Sequence, residues 1–325
     1  MPRILIIKTS SMGDVIHNLP VINDIHANIA NTSIDWVVEE GFQDIPRLHS
    51  KVDHVIPVAI RRWRKQLFNR STWQEIAVFK KQLSQHTYDV VLDTQGLFKS
   101  AFISYMANGP RYGQDKASAR ESLSACFYHH TFSVPREQHA VARNRQLAAL
   151  ALGYPLPKTP PDYGLSVGEI TNSHITELID GDYIVGLHAT SRDSKLWPIE
   201  HWISLGKTLS AQGIQLLLPW GNDSEHHRAN IIAASAPKAT VLPRIKIQQI
   251  AAILAGAKAA VGVDTGLIHL AAALNLPTVA IYTDTQPALT GVLAQHIDRA
   301  INLGGEGQIP TPELVLNTLK TLINQ

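Results

Sequence analysis

The sequence predicts an α/β protein built from two doubly wound domains, and three observations carry that expectation. Short β-branched runs alternate with amphipathic stretches along the chain, a proline-rich segment interrupts the alternation midway, and one strand-to-helix turn rich in small polar residues lies near each end. A length of 325 residues fits two domains of about 150 residues better than one. A hydrophobic content of 45% with 17% charged residues is globular, and a formal charge of +2 is too small for bulk nucleic-acid binding.

In the first half, apolar runs at 4–7, 34–38, 54–58 and 89–92 read as strands. Helical periodicity fills the gaps, most clearly at 73–83 and at 141–152, where Leu147 and Leu150 are expected on one face and Arg143 on the other. This alternation argues for a parallel sheet covered on both faces. Residues 155–161 hold four prolines in seven positions and cannot continue a helix or a central strand, so domains are expected at 1–160 and 161–325. The rhythm restarts with strands at 184–188, 215–219, 240–242, 259–263 and 278–282 and helices at 199–212, 223–236, 247–255 and 266–274. A last helix at 312–323 follows a glycine-rich loop and is expected to pack back over the first domain.

The single cysteine, Cys126, cannot form an intramolecular disulfide, and the first residues run into a strand without the zones of a signal peptide. A cytoplasmic protein is the expectation. No apolar run approaches the roughly 20 residues that span a bilayer, so any membrane contact would be peripheral.

The turn at Asp264-Thr265-Gly266 is the most informative feature. The first N–H groups of a helix lack intrahelical partners and lie at the positive end of its dipole, which suits a phosphate. Asp264 and Thr265 could instead be ordinary N-caps. His269, one helical turn on, could reach a ligand at the turn or be a satisfied core histidine. The first turn, Lys8-Thr-Ser-Ser-Met-Gly-Asp14, offers a lysine, hydroxyls and a carboxylate before a helix, and the two turns together suggest a two-lobed cleft.

His188-Ala-Thr-Ser-Arg-Asp-Ser-Lys-Leu-Trp-Pro198 follows the first strand of the second half, at the strand end where ligands bind in parallel sheets. Thr190, Ser191 and Lys195 offer it hydroxyls and a cation, unless the loop is simply solvated. Glu225, after Trp220-Gly221, suits a ribose hydroxyl but also a helix-terminal acid. Arg61-Arg62-Trp63-Arg64-Lys65 packs four cations into five residues, which a polyanionic ligand or a solvated basic loop would explain, and Lys99 and Arg120 could join them. Walker A, G-x-G-x-x-G, G-x-S-x-G and zinc-type patterns are absent. Asp180-Gly181-Asp182 has the form of a metal-binding pair but precedes a strand, at the wrong end of the sheet.

Taken together, Lys8 to Asp14, Trp36-Val-Val-Glu-Glu-Gly41, Ile56 to Lys65, Asp93-Thr-Gln-Gly96, the His188 loop and Val263 to His269 resemble the lipopolysaccharide heptosyltransferase family over nearly the whole chain. The resemblance implies a B-type glycosyltransferase, with two Rossmann-like domains facing a cleft. It implies inverting transfer of L-glycero-D-manno-heptose from ADP-heptose to the inner Kdo of Kdo2-lipid A, at the cytoplasmic face of the inner membrane. No metal, cofactor or nucleic-acid partner is expected. By position, Asp14 matches the general base. Lys195 with Thr190 and Ser191 matches the donor-phosphate contacts and serves catalysis, and Asp264, Thr265, Gly266 and His269 match the ADP-heptose loop. Glu225 matches the ribose acid less securely. Ser11, Arg61, Arg62, Arg64, Lys65, Gln95 and Arg120 are the expected acceptor contacts. Ser191 stands where the family often has a second threonine, and Leu196 where it has a polar residue, so a polar role at 196 is not expected. A heptosyltransferase for a later core sugar is the alternative within the class, and a two-lobed solute-binding protein the alternative outside it.

Overall fold

The computed structural model describes residues 1–170 and 173–324, and the chain divides into two compact units, Met1–Ser166 and Val167–Gln325. In the first unit the elements run β1 (Arg3–Ile7), α1 (Met12–Ile16), α2 (Pro20–Asn28), β2 (Ser33–Glu39), α3 (Asp44–Arg47) and β3 (His54–Val58). They continue through α4 (Ile60–Trp63), α5 (Arg70–Leu83), β4 (Val90–Asp93), α6 (Phe98–Met106), β5 (Arg111–Gln114), β6 (His130–Phe132) and α7 (Ala140–Leu152). The strands form one parallel sheet in the order β3-β2-β1-β4-β5-β6. β1 is nearly all apolar because helices cover both faces of a doubly wound sheet, and Ile4 to Ile7 are fully buried.

The second unit contains α8 (Ser173–Thr176), β7 (Tyr183–Leu187), α9 (Ile199–Ala211), β8 (Gln215–Leu218), α10 (Asp223–Ser235), β9 (Ala239–Val241) and α11 (Ile247–Ala255). It ends with β10 (Ala259–Val263), α12 (Gly266–Ala273), β11 (Thr278–Tyr282), α13 (Pro287–Thr290), β12 (Ala300–Gly304) and α14 (Pro312–Ile323). Its parallel sheet has the order β12-β11-β10-β7-β8-β9. Both units therefore wind outward from a central pair, β1 with β4 and β7 with β10, and the crevice beyond the carboxyl ends of such a pair is where these sheets bind ligands. At the second pair the strands approach closely: a Cβ on Gly262 would meet the Leu187 Cβ at 2.6 Å.

Three expectations are corrected. The proline segment is not the boundary, because residues beyond it are lashed to the first unit. Arg145 Nη1 donates to the Thr159 carbonyl at 2.8 Å, Leu165 bridges His49, and Ser166 N–H donates to the Leu48 carbonyl at 2.8 Å, which moves the division from 160/161 to 166/167. The last helix packs on the second unit, where Val315, Leu319 and Leu322 complete a core with Trp197, Trp202, Val261, Val279 and Ile281. In α7 the buried face is Val141, Asn144, Arg145, Leu147 and Ala148, while Leu150 is exposed. Among the described residues no helix is long and apolar enough to cross a membrane.

Candidate active site

The carboxyl ends of β1 and β4 carry the first cluster. Lys8 ends the apolar run of β1 and is buried, its ammonium donating to the Thr94 carbonyl at 2.7 Å and to Asn144 Oδ1 at 3.4 Å. Burial pushes its pKa down; the charges of Asp14 and Asp93 oppose this, and Arg143 and Arg120 add to it. Gln95 Oε1 accepts from Thr9 N–H at 3.0 Å and Ser10 N–H at 3.1 Å, so this expected acceptor contact braces the β1 loop from β4. Ser11 caps α1 with Asp14, donating from its N–H at 2.7 Å and its hydroxyl at 2.9 Å. Both bonds end on Oδ2, which leaves Oδ1 of the half-buried Asp14 to accept a proton.

The β4 turn is fixed by Asp93, which sequence reasoning quoted in a motif without assigning it a role. Its Oδ1 accepts from Gln95 N–H at 2.8 Å and Gly96 N–H at 3.2 Å, and its Oδ2 accepts from the Tyr128 hydroxyl at 2.7 Å. Burial raises its pKa against the pull of these bonds. Gly96 has φ 65°, a backbone conformation that favours glycine, and a Cβ there would also press on the Gln114 amide at 2.9 Å.

The basic run does not act as one patch. Arg62 is held by Glu40 at 3.0 Å and by Glu75 at 2.8 Å, and Trp63 Nε1 donates to the same Glu75 oxygen at 2.8 Å. This corrects the expectation that Arg62 awaits an acceptor: its fork is already filled by two carboxylates. Arg61, Arg64 and Lys65 remain exposed, with the Arg61 guanidinium 5.2 Å from the Phe42 ring centre. Lys99 donates to Ser10 Oγ at 2.9 Å; burial lowers its pKa first, Glu39 opposes, and Arg61 and Arg64 lower it further, which places those cations beside the β1 loop. Arg120 is exposed next to the Gly96 turn.

The second cluster lies at the carboxyl ends of β7 and β10. Asp264 Oδ2 receives the Lys195 ammonium at 2.5 Å and the Thr285 hydroxyl at 2.9 Å, and His269 Nε2 stands 3.8 Å from Oδ1. The Thr190 hydroxyl donates to the Asp264 carbonyl at 2.9 Å. Burial alone would raise the Asp264 pKa, but the bonds from His269, Lys195 and Thr285 and the Lys195 charge hold it well below the ordinary carboxylate range. The N-cap Thr265 makes no side-chain cap on α12, and Ile268 N–H donates to the Thr265 carbonyl at 3.2 Å. Lys195 is thus not the lone cation that the sequence suggested. An anion at this turn would have to share it with Asp264, whose carboxylate can accept from hydroxyls.

The loop is tied at both ends by Arg228, unassigned from sequence, which donates Nε to the His188 carbonyl at 3.3 Å and Nη2 to the Trp197 carbonyl. Ser191 is exposed within it. Glu225 is engaged at the start of α10: Oε2 accepts from Gly221 N–H at 2.7 Å and Oε1 from Asn222 Nδ2 at 2.8 Å, the helix-terminal role that sequence left open.

Comparison with known proteins decides the class: the model for glycosyltransferase family 9 (heptosyltransferase) matches residues 76–313. The chain belongs to glycosyltransferase family 9. It is 46% identical over 290 residues to lipopolysaccharide heptosyltransferase 1 of Escherichia coli (strain K12), covering 89% of this chain and 90% of that one. The structure of E. coli heptosyltransferase WaaC with ADP superposes with a TM-score of 0.89 at 41% identity, covering 98% of this chain and 99% of that one. The same enzyme with ADP-2-deoxy-2-fluoro heptose gives 0.85 at 40% identity over the same shares. This family 9 chain is therefore a glycosyltransferase of the B-type architecture and a heptosyltransferase of lipopolysaccharide biosynthesis.

Proposed function

We propose that this heptosyltransferase uses ADP-L-glycero-D-manno-heptose as donor and the inner Kdo of Kdo2-lipid A as acceptor, with inversion and without a metal or cofactor, as a cytoplasmic enzyme peripheral to the inner membrane. The observation that carries this reading is the placement of each motif set at the central strand pair of its own unit, with Asp14 and the buried Lys8 in the first and Asp264 paired with the partly buried Lys195 in the second. The names of the similar enzymes, a heptosyltransferase 1 and one solved with an ADP-heptose analogue, support it.

In this mechanism the acceptor hydroxyl attacks the anomeric carbon, its proton passes to Asp14 Oδ1, and the bond to the β-phosphate breaks on the opposite side. A base is needed because a neutral hydroxyl is a weak nucleophile. Charge grows on the departing phosphate, and Lys195 with the uncapped start of α12 offsets it, more strongly in the transition state than before. Thr190 anchors the loop on Asp264, and Ser191 with Thr265 and Gly266 offers further donors. Arg61, Arg64, Lys65 and Arg120, with Ser11 near the base, receive the carboxylates and phosphates of the acceptor.

The test measures ADP release with Kdo2-lipid A, comparing ADP-heptose with other ADP- and UDP-sugars, before and after excess EDTA. Release confined to ADP-heptose and indifferent to chelation is expected. Turnover only with another nucleotide sugar, or only with an already heptosylated core, would replace this reading with a different transferase.

A further inference from the structure

α6 has two unlike faces. Ser100, Ala101, Ile103 and Ser104 are buried, whereas Phe98, Phe102 and Tyr105 follow i, i+4, i+7 spacing and are 50%, 48% and 59% exposed. The 3-10 turn Ser122–Phe127 extends this outer face. Phe127 meets Phe98 and Tyr105 edge-on at 5.3 and 6.2 Å, and Leu123 in the same turn is 68% exposed. Single exposed apolar residues are ordinary, but a contiguous group marks a contact surface.

The charge around the group is positive. The Arg111 guanidinium lies 5.3 Å from the Tyr105 ring centre and its Nε donates to the Phe127 carbonyl at 2.7 Å, so a cation is built into the aromatic face. Exposed Arg120 adjoins the turn. The neighbouring carboxylate, Glu121, accepts from Phe98 N–H at 2.6 Å and so faces the start of α6. The helix begins two residues after Gly96 and its nine residues at 1.5 Å each span about 14 Å, so the stripe starts beside the turn that holds Gln95.

We propose that the outer face of α6, with Phe98, Phe102, Tyr105, Leu123 and Arg111, docks the enzyme on an anionic lipid bilayer. Aromatic side chains favour the headgroup boundary, where a ring is half in hydrocarbon, and an adjacent guanidinium pairs with anionic headgroups. The inference rests on the acceptor being lipid-linked and names the surface by which the enzyme approaches it. An acceptor anchored in the bilayer has sugars only a short distance above it, so the sheet end bearing Asp14 needs a neighbouring surface that tolerates the membrane.

The test is sedimentation of the full chain with vesicles of phosphatidylethanolamine and phosphatidylglycerol, against vesicles of phosphatidylcholine alone. The wild type should prefer the anionic vesicles, and a Phe102→Ser, Leu123→Ser double variant should bind them roughly tenfold more weakly or worse, since two apolar side chains no longer enter the lipid. Heptose transfer to a soluble, deacylated acceptor should be unchanged in that variant, which also shows that it is folded. Equal vesicle binding by wild type and variant would overturn the proposal. So would a wild type that sediments without lipid as a dimer split by the double substitution, since the face would then join two copies. Loss of transfer to the soluble acceptor in the wild type itself would instead count against the proposed reaction, whatever the vesicles report.

Discussion

In the proposed mechanism Asp14 acts on the acceptor and Lys195 on the donor, so their substitutions should separate accordingly. Asp14→Asn keeps the cap on α1 but removes the base, so turnover at saturating substrates should fall by about 10²- to 10⁴-fold while ADP-heptose affinity by calorimetry stays near that of the wild type. Lys195→Met should weaken donor binding by roughly 1.5–3 kcal/mol and slow transfer as well, because a charge-assisted contact is lost and Asp264 is left without its cation. Unimpaired turnover in Asp14→Asn would remove it from the mechanism. Both residues were legible in the sequence, since each sits in a motif between a strand and a helix. Their partnerships were not: Lys195 and Asp264 are 69 positions apart, and Asp93 and Tyr128 are 35 positions apart and meet only through the fold.

At the level of elements, α4 is a platform rather than a cluster of equal cations. Glu40 and Glu75 both hold Arg62, and Glu75 also accepts from Trp63, so Arg62 anchors the segment from which Arg61, Arg64 and Lys65 project. Replacing those three by glutamine should raise the acceptor KM sharply without changing donor affinity. Added salt should reproduce the effect in the wild type, because exposed charges are screened over about 8 Å at physiological ionic strength. Arg62→Gln and Glu75→Gln should resemble each other, a shared milder rise in acceptor KM that salt does not mimic. Arg62→Gln matching Arg64→Gln in salt dependence, with Glu75→Gln silent, would return Arg62 to the acceptor. Periodicity located α5 and α7 but misjudged the inner face of α7. Asn144 and Arg145 are buried there because Lys8, the His17 carbonyl and Asp24 pair with them, Arg145 at 2.6 and 2.9 Å from Asp24. A count of apolar residues cannot register polar groups that satisfy one another. β5, β6 and β12 escaped for a related reason, being short edge-side strands with polar or half-buried sequences.

For the whole molecule, each unit holds a buried histidine that resists protonation. Burial, followed by Lys51, pushes His49 down to about 4, and burial, followed by Arg228, pushes His188 down to about 4. The unfolded chain takes up these protons near pH 6.5, whereas the folded units do so only near 4. Stability is therefore full above 6.5 and falls as pH drops from 6.5 to 4, by roughly 3 kcal/mol for each histidine. Thermal unfolding across that range should show the decline, and His188→Gln should flatten the portion belonging to the second unit; an unchanged slope would mean that His188 takes up its proton at the same pH in the folded and unfolded states. The two-unit plan itself was legible because all-parallel sheets need an apolar strand and an amphipathic helix in strict alternation, and that order is written along the chain. The boundary was not, since proline signals a break in regular structure and says nothing of which side then claims the segment.

The sealing of the second core by Val315, Leu319 and Leu322 also sets an order of events during synthesis. The first unit has all of its strands and the segment lashed across it once Ser166 has emerged, so it can close while the remainder is still being translated. The second has its first strand by Leu187 yet lacks the helix that covers Val261, Val279 and Ile281 until Leu322 is made. For that interval the nascent chain carries an open apolar sheet. The second unit is consequently the one whose core stays open longest, and slow decoding within α14 should lengthen that exposure.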